Sequence, residues 1–185
     1  LVAARADMDA LNVIQEVVVL REQVEHVIGA RASRTPLVVE FERGDVLAVA
    51  DGNRVRQIIR CLLSNAVRYG GDRIEVRIGR DRGRATLSVA DDGSGVPPGH
   101  ERNIFEAFHR AKSDDGKTQA IGLGLYVAHH LATLMDGDLG YDRRGGWTVF
   151  QLDLPDATNE QSVPPLEEIA QSEGMSTSVS TTSTS

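Results

Sequence analysis

The sequence predicts an α+β fold: a two-layer α/β sandwich in which a mixed, mostly antiparallel sheet is covered on one face by helices. Three observations lead there. β-rich runs come in adjacent pairs and helical stretches separate them, in the order helix, hairpin, helix, hairpin, loop, helix, hairpin. One helical stretch, residues 53–69, carries a continuous apolar stripe of the kind that covers a sheet. The chain has 185 residues and is 41% hydrophobic but only 4% aromatic, which suits one domain with an aliphatic core.

Each element has its own local signal. Over residues 9–28, Leu11, Ile14, Val17, Val18, Leu20, Val24 and Val27 recur near helical spacing, with Asp9 as N-cap and Gly29 as stop. Leu37 to Phe41 and Val46 to Ala50 are β-rich, and Arg43-Gly44-Asp45 between them reads as a hairpin turn. In residues 53–69 the apolar positions Val55, Ile58, Ile59, Leu62, Leu63, Ala66 and Val67 step alternately by three and one, and Gly70-Gly71 ends the helix. Ile74 to Ile78 alternates as a strand. Ala85 to Ala90 makes its partner across the polar turn Asp81 to Arg84. A Gly- and Pro-rich loop, Asp91 to Gly99, leads to a short helix expected over 102–111 and a polar stretch over 112–120. A helical pattern returns from Leu123 to Met135 and ends at Gly137. Strands over Leu139 to Asp142 and Thr148 to Leu154 close the domain, and Pro155 stops the pattern.

The expected organisation is therefore the end of an upstream helical or linker region at 1–8, a domain at 9–155, and a tail at 156–185. The tail holds five acids and no Lys or Arg, and ten of its last fourteen residues are Ser or Thr. It reads as disordered and dispensable for ligand binding. The remaining residues carry 22 acids and 20 bases, so the body is near neutral and offers no electrostatic footprint for nucleic acid. Cys61 stands alone, which excludes an intrachain disulfide and disfavours a cysteine-based zinc site; it reads as a small buried apolar side chain. No apolar run reaches the length of a membrane span, so no direct membrane contact is expected of this stretch, and a cytoplasmic setting fits.

Several phosphate-binding and catalytic motifs are absent. Gly116-Lys117-Thr118 ends like a P-loop, but Ala111 stands where that loop needs its first glycine. Neither Gly93-Ser94-Gly95 nor Gly122-Leu123-Gly124 completes a dinucleotide fingerprint, and no metalloprotease, nucleophile-elbow or protein-kinase signature occurs. Three other elements carry polar chemistry. Cys61, Asn65 and Arg68 lie four and three residues apart, on a stripe distinct from the apolar one, where Asn65 is either a solvated surface residue or a ligand-facing amide. Asp91-Asp92-Gly93-Ser94-Gly95 is either a tight turn or a strand-end carboxylate beside glycines that let backbone approach a flat ligand. Gly122-Leu123-Gly124-Leu125 before a helix is either a flexible entry or a set of backbone N–H groups aimed at an anion.

Taken together, in this order and spacing, these elements resemble the catalytic ATP-binding domain of bacterial sensor histidine kinases, within the gyrase/Hsp90-type (Bergerat) ATPase superfamily. Arg56 to Tyr69 resembles the N box, and Asp91 to Gly95 the first glycine box. Ile104-Phe105-Glu106-Ala107-Phe108 resembles the F box, Gly122 to Leu125 the second glycine box, and Gly145 to Pro155 the closing strand.

The resemblance implies ATP and Mg²⁺ as ligands. Asn65 would give its amide oxygen to Mg²⁺, Asp91 would accept the adenine amino group, and Gly93 and Gly95 would leave room for the ring. Arg68 would lie near the phosphates and Tyr69 beside the nucleotide. Gly122, Leu123, Gly124 and Leu125 would form the hinge and phosphate contact of a lid over 109–121. Phe105 and Phe108 would seat that lid. Two positions depart from the family pattern: Cys61 stands where the N box usually begins with Asn, and Ala120 where the second glycine box usually begins. None of His26, His100, His109, His129 and His130 sits in a phosphoacceptor motif. The implied partners are a histidine-bearing helical dimerisation domain, upstream or in trans, and a response regulator. The alternatives are a degenerate nucleotide-binding regulatory module, a superfamily ATPase and an anti-sigma-type serine kinase. The hydrolysing ATPases resemble one another in carrying a glutamate at the position of Cys61.

Overall fold

The computed structural model describes residues 12–30, 36–101, 103–107 and 123–159. In chain order these form β1 (Glu16–Val19), α1 (Leu20–Gly29), β2 (Leu37–Phe41), β3 (Leu47–Ala50), α2 (Gly52–Tyr69), β4 (Ile74–Asp81), β5 (Arg84–Asp91), α3 (Gly124–Leu134), β6 (Asp138–Arg144) and β7 (Trp147–Pro155). The main sheet has the order β2-β4-β5-β7-β6, and only the β2–β4 pair is parallel.

Strand periodicity sorts this sheet into a buried and an open face. Ile74, Val76 and Ile78 on β4, Ala85, Leu87 and Val89 on β5, and Phe150, Leu152 and Leu154 on β7 are all buried. They meet the apolar stripe of α2, with Val55, Ile58, Ile59 and Leu62 fully buried, and Ala128, Leu131 and Ala132 of α3. The residues between them on β5 and β7, Thr86, Ser88, Gln151 and Asp153, are half-exposed. The sandwich with one helix-covered face is thus as the sequence predicts. The same parity has a consequence for chemistry: Asp91 continues the buried register of Ala85, Leu87 and Val89, so its carboxylate is delivered to the helix side at the strand's end.

Three local expectations differ. The helix expected over 9–28 is shorter, because Glu16–Val19 is a strand paired antiparallel with β3. Val17-Val18-Val19 are three consecutive β-branched residues, and β3 gives them a partner that helical spacing cannot foresee. The hairpin expected from β2 and β3 does not form. β2 runs parallel to β4, while Ala48, Val49 and Ala50 of β3 are buried and pair with β1. Between 103 and 107 the chain makes turns rather than a helix, with i to i−3 bonds from Asn103 to His100 (3.0 Å) and Glu106 to Asn103 (2.9 Å). The other residues of the expected 102–111 helix, the 112–120 stretch, and residues 1–11 lie outside the described residues, apart from His100 and Glu101 at its entry.

The last described residues pack on the domain. Asp156 is 3% exposed and bridges to Ala48, and its carboxylate accepts Arg80 Nε at 3.0 Å and the Thr158 N–H at 2.8 Å. Ordered packing therefore extends to Asn159, past the expected end at Pro155; residues 160–185 lie outside the described residues.

Asp51 starts α2. Its carboxylate accepts the backbone N–H of Asn53 (2.8 Å) and Arg54 (3.2 Å), and also that of Ile14 (3.2 Å), so one side chain caps the helix and fastens the chain ahead of β1. Asp51→Ala is expected to destabilise the fold by about 1–2 kcal/mol, read as a lower denaturant midpoint at unchanged slope.

Candidate functional site

The polar stripe of α2 supplies the first side of the site. Cys61 is half-buried, and burial pushes its thiol up to about 11. One turn later Asn65 is half-buried, and its amide makes no hydrogen bond to another described residue. Arg68 and Tyr69 end the helix, both exposed, with the guanidinium carbon 5.9 Å from the ring centre. Among the described residues no carboxylate pairs with Arg68. A cation at a helix C-terminus interacts favourably with that end's negative pole.

The second side is Asp91, 5% exposed at the end of β5. The Gly93 N–H donates to its Oδ1 at 3.0 Å, and Thr148, its register partner on β7, sets its hydroxyl beside the carboxylate, where it favours the charged form. Burial pushes the Asp91 carboxyl above the usual carboxylate range. The Gly93 bond, the Thr148 hydroxyl and the charge of Arg143 act the other way. Asp92 points elsewhere, to the backbone N–H of Arg73 at 2.9 Å. The loop lies directly on the end of α2. A Cβ on Gly93 would stand 2.6 Å from Gly70 Cα and 2.7 Å from the Tyr69 carbonyl oxygen, and one on Gly70 would stand 2.9 Å from Asp91 Cβ. Glycine is needed at both positions for close approach, and the contact fixes Asp91 beside the helix end that carries Arg68 and Tyr69. Gly95 has φ +77, the left-handed region.

The third side is the start of α3. A Cβ on Gly124 would stand 3.1 Å from Cys61 Sγ, so the two helices meet where one lacks a side chain and the other carries a thiol. Beside this contact a cavity of about 220 Å³ is lined by Gln57, Cys61, Leu123, Gly124, Val127 and Ala128. Leu123 is half-buried, and Leu125, also half-buried, packs against the core. Phe105 packs on His129 and Phe150, with ring centres 5.1 and 6.4 Å apart. Gly122, Phe108, His109, Ala120 and the proposed lid over 109–121 lie outside the described residues.

Asn65, Arg68, Tyr69, Asp91 and Gly93 thus gather at the C-terminal half of α2, Gly95 lies against Arg143, and Leu123 and Gly124 face the Cys61 turn. Sequence reasoning missed two members. Thr148 lies in the closing strand, and only the β5–β7 register brings it to Asp91. Arg143, on β6, carries no sequence signal. A buried strand-end carboxylate and an adjacent glycine loop thus lie against the helix that carries Asn65, whose amide has no partner among the described residues.

The family of histidine kinase-, DNA gyrase B- and HSP90-like ATPases matches residues 50–158. The chain belongs to this family. Sensor histidine kinase YkoH of Bacillus subtilis is 38% identical over 97 residues, covering 52% of this chain and 21% of that protein. Sensor protein KdpD of Mycobacterium tuberculosis is 36% identical over 118 residues, covering 63% of this chain and 14% of that protein. The crystal structure of full-length ShkA with AMPPNP is similar at a TM-score of 0.71 and 26% identity, over 84% of this chain and 34% of that one. This chain therefore spans a minor part of the length of these relatives. Within the family it is an ATP-binding domain of the sensor histidine kinase kind. No helix among the described residues is long and apolar enough to cross a membrane.

Proposed function

We propose that this domain binds Mg-ATP and delivers its γ-phosphoryl group to a histidine upstream or on a partner protein, as the catalytic part of a two-component sensor kinase. The observation that carries the proposal is the buried Asp91, locked by Gly70 and Gly93 against the helix end that presents Arg68 and Tyr69. Asp91 accepts a hydrogen bond from the adenine amino group, and Gly93 and Gly95 leave backbone rather than side chains at the ring. Tyr69 lies along the nucleoside. Arg68 meets the phosphates, and Gly122, Leu123, Gly124 and Leu125 offer backbone N–H groups to them.

The donor set fits Mg²⁺. Asn65 offers an amide oxygen free of other described partners, and the described residues contain no cluster of three or more His, Cys, Asp or Glu that would form an all-protein cage. A hard ion that keeps water and phosphate oxygens needs few protein ligands. Bound there, Mg²⁺ would neutralise charge on the phosphates. The chain's own part is positioning. The acceptor imidazole nitrogen attacks the γ-phosphorus as the bridging P–O bond breaks, and ADP leaves.

Cys61 argues against water as the acceptor. A thiol held near 11 stays protonated at neutral pH and takes no proton from water. We accordingly place the acceptor histidine on a helical dimerisation domain, in cis or in trans, and the onward recipient on a response regulator.

The test is radiolabelled γ-ATP, first with the chain alone and then with a helical hairpin bearing an acceptor histidine. The expected result is no label and negligible phosphate release from the chain alone, then acid-labile label on the hairpin. Rapid phosphate release without a partner would select an ATPase. Nucleotide binding with no label on any histidine-bearing partner would select a regulatory module.

A further inference from the structure

Gly93, whose N–H donates to Asp91, and Thr148, which faces Asp91 across the β5–β7 register, are both held by one atom. Arg143 reaches from β6 over the glycine loop, and its Nη1 donates to the Gly93 carbonyl at 2.8 Å and to the Thr148 hydroxyl oxygen at 2.7 Å. A terminal guanidinium nitrogen carries two N–H groups, so both bonds form together. A hydroxyl has one proton and two lone pairs. With Arg143 on a lone pair, the Thr148 proton is left for the carboxylate opposite, Asp91, while the Gly93 N–H holds the same carboxylate at 3.0 Å.

The surroundings keep Arg143 to this task. Asp142, the nearest acid in sequence, is taken by the Arg144 side chain and by the Arg143 backbone N–H. Gly95 leaves the space open, since a Cβ there would stand 2.9 Å from Nη1. Thr148 is 4% exposed, so water does not replace Arg143 freely as its donor.

We propose that Arg143 is a positioning residue that sets base selectivity: by holding Gly93 and Thr148 together it fixes the Asp91 carboxylate in the orientation that accepts a 6-amino purine and rejects a 6-oxo purine. The inference rests on the reading of Asp91 as the base acceptor. Arg143 touches no phosphate in this account, and its effect falls on the base alone.

The experiment measures the affinity of the full chain for ADP and for inosine 5′-diphosphate with Mg²⁺, which differ at the 6-position amino group. Arg143→Ala should cut the preference for ADP roughly five- to tenfold, the scale of one lost hydrogen-bond arrangement. Thr148→Val should do the same, and the double variant should lose no more than the larger single loss, since both act along one path. Arg143→Lys, which keeps a cation and its donors, should restore part of the preference. A role in general folding or in phosphate attraction would weaken both nucleotides alike and leave their ratio unchanged. An unchanged ratio in Arg143→Ala and in Thr148→Val overturns the proposal. Asp91→Asn separates the two levels. If it abolishes the preference while Arg143→Ala keeps it, only the positioning role falls. If Asp91→Asn also keeps it, the reading of Asp91 falls as well.

Discussion

Replacing Asp91 by Asn lowers the affinity for Mg-AMPPNP by an amount equivalent to about 1.5–3 kcal/mol, or roughly ten- to a hundredfold. The carboxylate is 5% exposed, so its bond to a base amino group forms with little competing water. Charge makes that bond stronger than a neutral one. Asparagine keeps the size and one acceptor oxygen, so the Gly93 N–H retains a partner, but its NH₂ now faces a base amino group with a donor. The fold should survive, because burial already disfavours the ionised form of Asp91. Calorimetry on folded protein reads the effect, and equal affinity in the two proteins would remove Asp91 from the site.

Leu62→Ala is expected to cost about 2–5 kcal/mol of stability, the range for a fully buried leucine whose surroundings cannot collapse. Leu62 is 0% exposed in the stripe with which α2 covers the sheet, and its neighbours Ile58 and Ile59 are equally buried. The residue lies one helical position from Cys61 and three from Asn65, so the same helix carries core and site. The denaturant midpoint should fall while the slope stays constant. Nucleotide should still raise the melting temperature of the variant, since binding the native state alone stabilises it by mass action. A loss below about 1 kcal/mol would mean that α2 does not seal the core as described.

What the sequence revealed depended on how local each signal was. The stripe of α2 and the alternation of β4 are local periodicities, and they set the buried side of each element without knowledge of any partner. Strand pairing is not local. Leu37 to Phe41 and Val46 to Ala50 were each legible as strands, but their partners lie far along the chain, β4 for one and β1 for the other. Val17 and Val18 fit a helical spacing, yet with Val19 they form a β-branched run, and pairing with β3 decides for the strand. Gly70 and Gly93 read as a helix stop and a turn. Their close approach, which fixes Asp91, is visible only once α2 and β5 are docked. Thr148 and Arg143 reach Asp91 through sheet register, which no spacing in the sequence encodes.

The most direct test of the account is a titration of the isotopically labelled chain with Mg-AMPPNP, followed by backbone amide shifts. The account predicts saturable shifts at Asn65 to Gly70, at Asp91 to Gly95 and at Leu123 to Leu125, while β2 and the open sheet face, represented by Ser88 and Gln151, stay unmoved. An absence of saturable shifts, or shifts confined to the open face, would contradict it.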